Sequence, residues 1–214
     1  MKKTLTLVFA ALLTLAAFRV QAQSFDGGLI AGPLTSQIQG DGYSGYHQVG
    51  YTAGVFGRIP SQGPASWQME LKYSLYGAHS DSKEVAYGMN PMSIRLHYVE
   101  LPLMFRYDLS GIRVNGRPLD FVTFEIGLSG DFLIRGTQSA DFEDGYDNSS
   151  WLFFSVTGNF GVHFDFNEWL GVNVRSMNSI TPCRLHPEVP LYSWFHYYNI
   201  ALQATVVYTI VHAR

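Results

Sequence analysis

The sequence predicts an all-β fold, an eight-stranded antiparallel up-and-down transmembrane β-barrel preceded by a cleaved signal peptide. Stretches of about ten residues alternate between apolar and polar side chains, and Gly, Asn, Asp and Pro separate them. Charged residues make up 14% of the chain, against about 25% in a typical soluble domain. Aromatic residues reach 15%. These features are typical of a chain that crosses a membrane with strands. A membrane helix needs ~20 apolar residues, and no apolar run after residue 22 is that long.

Residues 1–22 have the features of a secretory signal peptide. A basic start, Met1–Lys3, precedes the apolar stretch Leu5–Phe18, and Val20 and Ala22 are small residues at the positions that a signal peptidase reads. We therefore expect export and residence in the outer membrane. Residues 23–214 are expected to form one outer-membrane β-barrel domain, because about 190 residues leave no length for a second module.

The first three strands follow this leader. Phe25–Ala31 opens the mature chain, and Val49–Ile59 alternates apolar residues with small or polar ones. The third strand is the clearest, because every second residue from Trp67 to Leu75 is apolar and the residues between them are Gln, Glu, Lys and Ser. A period of two without exception predicts a strand with one apolar and one polar face.

The fourth predicted strand changes phase midway. Apolar residues hold the even positions from Ile94 to Tyr98 and the odd positions from Val99 to Tyr107. A β-bulge near Tyr98 and Val99 would account for this change, because an extra residue reverses the alternation. Pro102 also fits beside a bulge, since it has no N–H to donate to a ladder.

The last four strands alternate in the same way, and a tight turn at Asn167 and Glu168 joins the sixth to the seventh. Their predicted extents are Phe121–Arg135, Phe154–Asp165, Leu170–Val174 and Tyr198–Ile210. Long connections follow the odd strands, at residues 33–48, 77–92, 136–149 and 177–194. Shorter turns follow the even strands, although residues 110–120 are longer than expected. Outer-membrane barrels place long loops outside the cell and short turns in the periplasm.

Alternation alone does not separate a membrane barrel from an exported soluble barrel of lipocalin type, whose apolar face turns inward. The polar faces of the fifth and sixth strands hold small residues such as Gly127, Ser129 and Ser155, which suit a narrow lumen better than a water-exposed surface. Tyr198 and Tyr208 bracket an apolar stretch, and ten tilted residues rise about 26 Å, close to an apolar band of about 25 Å. Both observations favour the membrane barrel, and the soluble barrel is the alternative.

Charged residues on the inward parity form the candidate site. They are Glu70, Lys72, Arg95, Glu100, Arg106, Glu125, Asp131 and Arg175. A ligand or ion path is one interpretation. We favour a structural role, in which opposite charges fill and cross-link a lumen too narrow for an open channel.

Other polar residues suggest chemistry less clearly. His163 and Asp165 lie two residues apart on one face, and a lumenal serine would complete a hydrolase set, but no nucleophile motif supports it. An acidic stretch could hold a calcium ion, but Gly145 is out of register with the calcium-loop pattern, so we expect a solvated external loop there; the acids are Asp141, Glu143, Asp144 and Asp147. We predict a non-enzymatic protein without catalytic, cofactor or metal site. Cys183, the single cysteine, is expected to be an unpaired surface residue, with an intermolecular disulfide as the alternative.

The partners follow from location and charge. Three of the 14 basic residues and no acid lie in the leader, so residues 23–214 carry 11 basic and 17 acidic side chains. This balance argues against nucleic acid. We expect outer-membrane lipid as the surroundings and other envelope or secretion proteins as partners of the loops.

Several motifs resemble the PorT-like outer-membrane β-barrel family. They are the run Glu70–Ser74, the tract Leu96–Leu103 with its Tyr-x-Glu-Leu-Pro-Leu core, the glycine-bearing fifth strand and the closing Tyr208–Ile210. The resemblance implies an eight-stranded outer-membrane barrel of a diderm bacterium, and some members assist type IX secretion and gliding. We therefore expect a structural or accessory component of an envelope assembly of type IX kind. A ligand-binding barrel and an outer-membrane lipid-modifying enzyme are the alternatives.

Overall fold

The computed structural model describes residues 25–43, 45–60, 63–81, 85–86, 91–140, 143–145, 151–186, 190 and 195–211. The predicted signal peptide lies outside these residues. Eight long strands carry the fold: β1 (Asp26–Gln39), β2 (Gln48–Pro60), β3 (Ala65–His79), β4 (Met92–Asp108), β5 (Val122–Ala140), β6 (Phe154–Asp165), β7 (Leu170–Ser179) and β8 (Tyr198–Val211). Two short strands, Arg113–Val114 and Arg117–Pro118, form a separate hairpin, and Glu143–Gly145 adds three residues beside β5.

The strands close into an up-and-down barrel. Each of the eight pairs antiparallel with its neighbours along the chain, and β1 pairs antiparallel with β8. Closure leaves no open sheet edge along the wall. The predicted eight-stranded antiparallel barrel is confirmed. In the described part of the chain, no helix has the length and apolar character to cross a membrane.

Side chains divide between an outer wall and a lumen, as β3 illustrates. Trp67 is 53% exposed and Met69 61%, whereas Glu70 and Lys72 are each 1% exposed. Large apolar residues are exposed on the outer face of all eight strands, among them Leu29, Val55, Leu103, Ile126, Phe160, Val174 and Val206. An outer wall of apolar residues around charged ones is unfavourable in water and favourable in hydrocarbon. The apolar parity therefore faces lipid, as predicted, rather than a soluble barrel's interior.

Strand β1 is longer than predicted. Its expected end at Ala31 is wrong, because the strand continues to Gln39 and the loop to β2 covers only residues 40–47. Pro33 remains in register with Tyr51 of β2, but the ladder with β8 has no pair at Gly32 or Pro33. A proline is tolerated here because only one side of the strand loses a bond.

The predicted bulge lies at the right height but on the wrong strand. Strand β4 keeps one parity throughout, with Ile94, Tyr98 and Arg106 all buried on the inner face. The register shifts between His97 and Tyr98 in the pairing with β5, and the extra residue there is Ile134 of β5. The change of phase in the β4 sequence therefore marks a change in what fills the lumen, not a change in strand geometry.

The long β4–β5 turn contains its own hairpin. Arg113 pairs with Pro118 and Val114 with Arg117, and both residues between them have positive φ, 51° for Asn115 and 79° for Gly116. This is the Asn-Gly combination of a two-residue type I′ turn. The predicted turn between β6 and β7 is also present, with Asn167 Oδ1 accepting the N–H groups of Trp169 and Leu170 at 2.8 and 2.9 Å.

Close approach of neighbouring strands requires glycine inside the narrow barrel. A Cβ atom on Gly54 of β2 would lie 2.1 Å from the carbonyl oxygen of Leu71 in β3. Any side chain there would force the two strands apart. Glycine at this position allows the sharp coiling that an eight-stranded barrel needs.

Candidate functional site

Arg175 lies at the centre of the lumen. It projects inward from β7, and its Nη1 and Nη2 donate to the two carboxylate oxygens of Glu70 on β3 at 2.9 Å each. Nη2 also donates to Glu125 Oε2 on β5 at 2.9 Å. A planar guanidinium can bind one carboxylate with two parallel bonds and still reach a second. One side chain therefore ties together strands from three parts of the wall.

A second cation, Arg106 of β4, binds Glu125 directly and reaches Glu70 through Gln68. Its Nε lies 3.0 Å from Glu125 Oε1, and its Nη1 donates to Gln68 Oε1 at 2.5 Å. Gln68 in turn donates to Glu70 Oε1 at 2.8 Å. Asn173 of β7 donates to Glu125 Oε2 at 2.5 Å. Neutral amides thus occupy lone pairs that the two arginines leave unused.

Lys72 extends the network toward the loop end of the barrel. Its Nζ lies 3.1 Å from Glu100 Oε2 and 3.6 Å from Glu70 Oε2, and it donates to Gln203 Oε1 of β8 at 3.1 Å. Asp131 of β5 accepts hydrogen bonds from the hydroxyls of Ser129 and Thr157. Three cations and four carboxylates therefore occupy this part of the lumen.

We call these seven charged residues with Gln68, Asn173 and Gln203 the lumenal network. All ten side chains are buried, with exposed fractions of 0–5%. Removing one of the three cations leaves carboxylates uncompensated in a low dielectric, which costs about 3–5 kcal/mol. The geometry suits a cross-linked filling of the lumen. A search for charged residues does not find the three amides, because they are neutral. The alternation of each strand nevertheless predicts that they face inward.

Arg95 does not belong to the lumenal network, so its predicted inward position is wrong. Strand β4 has no bulge, and Arg95 therefore shares its parity with the lipid-facing residues Leu101 and Leu103. It is exposed on the outer wall. The other seven predicted residues lie inside the barrel and contact one another or neighbouring polar side chains.

An apolar plug fills the lumen above the lumenal network, at the end that carries the long loops. It consists of Leu34, Ile38, Tyr76, Ala78, Ile94, Leu96, Tyr98, Leu133, Trp151, Met177, Cys183 and Ala201. Tyr76 packs edge-to-face on Tyr98 with 5.6 Å between ring centroids, and Tyr98 accepts a hydrogen bond from Asn199 at 3.2 Å. Near this end of the barrel, the inward-facing positions of the strands hold apolar residues instead of polar ones.

Residues of the last long loop complete this plug. Cys183 donates its backbone N–H to Tyr197 O at 2.8 Å, and Leu152 donates to Cys183 O at 2.8 Å. The Arg184 guanidinium lies over the rings of Trp151 and Tyr197, 5.2 and 5.5 Å from their centroids. Such cation–π contacts add to the packing of apolar rings. Cys183 and Arg184 of this loop therefore lie across the barrel end.

Cys183 is fully buried in the plug, so the predicted surface position is wrong. Its exposed fraction is 0%, and it carries a free thiol. Burial raises the pKa of the Cys183 thiol to about 12. A buried, protonated thiol is a poor nucleophile and is inaccessible to a second chain. The sequence had no signal for this, because Pro182 and the neighbouring polar residues resemble a surface loop.

The end of the lumen that carries the short turns opens into a polar cavity of about 450 Å³. Arg106 lies at its inner end, and its lining includes Asp26, Arg58, Asp108, Asp120 and Asp165. His163 Nε2 lies 3.0 Å from Asp165 Oδ1 near this mouth, as the predicted pairing requires. Among the hydrogen bonds of the described residues, none joins His163 to a serine or cysteine.

The acidic loop stretch is only partly described. Glu143 and Asp144 belong to the short strand Glu143–Gly145, which pairs with the end of β5. Asp141 and Asp147 lie outside the described residues. The expectation of a solvated external loop there stays a prediction.

Comparison with known families decides the location of this barrel. The family described as outer membrane protein beta-barrel domain matches residues 21–183. The chain belongs to this family. The protein is thus an integral outer-membrane barrel, and its long loops face the cell exterior while its short turns face the periplasm. No curated protein matches the sequence.

Solved structures of other bacterial barrels are similar to this member of the outer membrane protein beta-barrel domain family. Ail, the attachment invasion locus protein of Yersinia pestis, is 11% identical, with 87% of this chain and 99% of that chain covered at a TM-score of 0.49. Ail was also solved with the heparin analogue sucrose octasulfate. Neisserial surface protein A is 11% identical, with coverage of 87% and 97% and the same TM-score of 0.49.

Proposed function

We propose that this protein is a non-enzymatic, PorT-like structural or accessory component of an envelope assembly, with type IX-like secretion as its setting. Its barrel is an anchor, and the loops and rim make the contacts with other envelope proteins. The motifs of β3 and β4 and the closing tyrosine segment support the PorT-like assignment by resemblance.

The filled lumen carries this proposal. The lumenal network occupies the middle of the barrel, and the apolar plug occupies its outer end. Transport through the barrel would require both layers to be displaced, including ion pairs that are unfavourable to separate in a low dielectric. Activity at the ends of the barrel requires no such rearrangement.

Photo-crosslinking from the rim tests the proposal in cells. A crosslinker at Tyr46 or His47, both exposed in the loop between β1 and β2, should capture a discrete envelope protein. Val114 in the periplasmic hairpin, which is 52% exposed, is the matched position at the other end. Deletion of the gene should also lower export of secreted cargo. Normal export together with no crosslink from either end would contradict the proposal.

Ligand binding at the periplasmic mouth is a second candidate function. The polar cavity there has room for a small molecule, and an ion pair between Arg58 Nε and Asp26 Oδ2, 2.7 Å apart, forms part of its wall. Substituting Arg106, which lines this cavity, with methionine separates the two functions. Loss of folding would support a structural lumen, whereas a folded barrel that has lost a ligand-dependent change in stability would support binding.

A further inference from the structure

The bulge in β5 brings a charged side chain to the outer wall. Inward positions of this strand are odd numbered from Thr123 to Leu133, so a regular strand would turn Arg135 into the lumen. The extra residue, Ile134, reverses the alternation, and Ile134 and Arg135 are both exposed. Bulges are known for redirecting a side chain in this way.

Arg135 meets two further residues of the outer wall on the neighbouring strand. It is the direct register partner of His97 in β4, and Arg95 lies two residues before His97 on the same face. We call Arg95, His97 and Arg135 the rim cluster. Tyr73 on β3 is hydrogen-bonded to His97 Nδ1 at 2.5 Å, which holds the imidazole against the wall.

Both strands place the rim cluster at the same height. On β4, Tyr107 and His97 are ten residues apart and enclose only apolar outward residues, and ten tilted residues rise about 26 Å. On β5, Phe124 and Ile134 enclose an outward stretch of the same length. The expected apolar band is about 25 Å tall. Arg95 and Arg135 therefore lie just beyond its outer border, at the level of the lipid headgroups.

The rim cluster brings two guanidinium groups to the outer wall. The nearest carboxylates along the same two strands, Glu100 and Asp131, are buried on the inner face. Arg95 makes no side-chain hydrogen bond or ion pair with another residue in the described ranges, so its guanidinium is available to a ligand. Guanidinium groups bind phosphate with paired, charge-assisted hydrogen bonds.

We propose that the rim cluster binds the phosphate-bearing headgroup of an outer-leaflet glycolipid. The inference rests on outer-membrane residence and is independent of the proposed role in an envelope assembly. The bound lipid places its acyl chains along the apolar faces of β4 and β5 and its phosphate against Arg95 and Arg135. Tyr73 and His97 lie at the boundary between the two parts of the lipid.

Native mass spectrometry of the detergent-solubilised barrel tests this site, with diphosphorylated lipid A as the probe. Each arginine near an anionic lipid surface contributes about fivefold to binding. We expect Arg95→Gln to weaken lipid A binding about fivefold and the double variant R95Q/R135Q about thirtyfold, whereas R95K/R135K should retain most of it. The matched control is R113Q/R117Q in the exposed periplasmic hairpin, which should bind as the parent does.

Two comparisons identify the chemistry that is recognised. Dephosphorylated lipid A should bind about as weakly as diphosphorylated lipid A binds to R95Q/R135Q, and inorganic phosphate at the lipid A concentration should not compete. Equal binding of dephosphorylated lipid A, competition by inorganic phosphate, or parent-like binding by R95Q/R135Q would each overturn the proposal. Heat-modifiable gel mobility verifies folding, and R95Q alone serves if the double variant does not fold.

Discussion

Substitution of Arg175 by methionine is the sharpest test of the lumenal network. Arg175 donates three hydrogen bonds of 2.9 Å to Glu70 and Glu125, and all three side chains are buried. Methionine keeps much of the volume but leaves Glu70 with Gln68 and Lys72 as its remaining partners. Breaking a buried ion network by removing one member costs about 3–5 kcal/mol. We expect Arg175→Met to lower the free energy of unfolding by that amount.

Urea titration of the barrel folded in phospholipid vesicles measures this difference, with gel mobility before and after heating as the readout of folding. Arg113→Met in the exposed hairpin is the matched control and should change stability by about 0.5 kcal/mol or less. The double variant E70L/R175M should be more stable than R175M, because it removes the carboxylate that the single substitution leaves uncompensated. A cost below about 1 kcal/mol for R175M would refute the structural role of the network.

The remaining predictions concern the plug, the wall and the lipid face. Burial raises the pKa of the Cys183 thiol from 9.0 to about 12. Between these two pH values the folded state keeps the thiol proton and the unfolded state loses it, so the free energy of unfolding falls by up to about 1.4 kcal/mol per pH unit as the pH rises. Cys183→Ala should remove that part of the alkaline loss in urea titrations, and a water-soluble maleimide at pH 8 should label the parent only after unfolding. Gly54→Ala should destabilise the barrel by about 2 kcal/mol or more, because the new Cβ atom would collide with the Leu71 carbonyl oxygen. An unchanged urea midpoint and unchanged heat-modifiable gel mobility would contradict this. Leu103→Arg on the lipid face should lower the free energy of unfolding in vesicles by about 2–4 kcal/mol, whereas Ile112→Arg in the exposed turn should hardly change it. Equal effects of the two substitutions would show that Leu103 does not face hydrocarbon.

Strand periodicity made the wall predictable from sequence. On β3 the side chains from Trp67 to Leu75 alternate without exception, and the direction of each follows once one face is assigned to lipid. The same reasoning places seven of the eight charged residues in the lumen. This works because a narrow barrel has only two environments for a strand residue, and charge distinguishes them strongly.

The apolar plug at the outer end of the lumen was not predictable in this way. Ile94, Leu96 and Tyr98 are apolar and yet face inward, because residues near Cys183 fold over the barrel end and exclude water from it. That closure depends on contacts between loops far apart in sequence. Apolar character at these positions reflects burial and not lipid contact, and the sequence pattern therefore predicts the wrong face for Arg95.

The distribution of the lumenal charges among the strands restricts how the barrel enters the bilayer. Strands β3 and β4 each carry one cation and one carboxylate of the network, so that hairpin is neutral by itself. Strand β5 brings two carboxylates, Glu125 and Asp131, and β6 brings no cation of the network; the compensating Arg175 arrives only with β7. Insertion one hairpin at a time would expose two carboxylates to hydrocarbon, at several kcal/mol each. The charge distribution therefore favours insertion of β4, β5 and β7 together over insertion of successive hairpins.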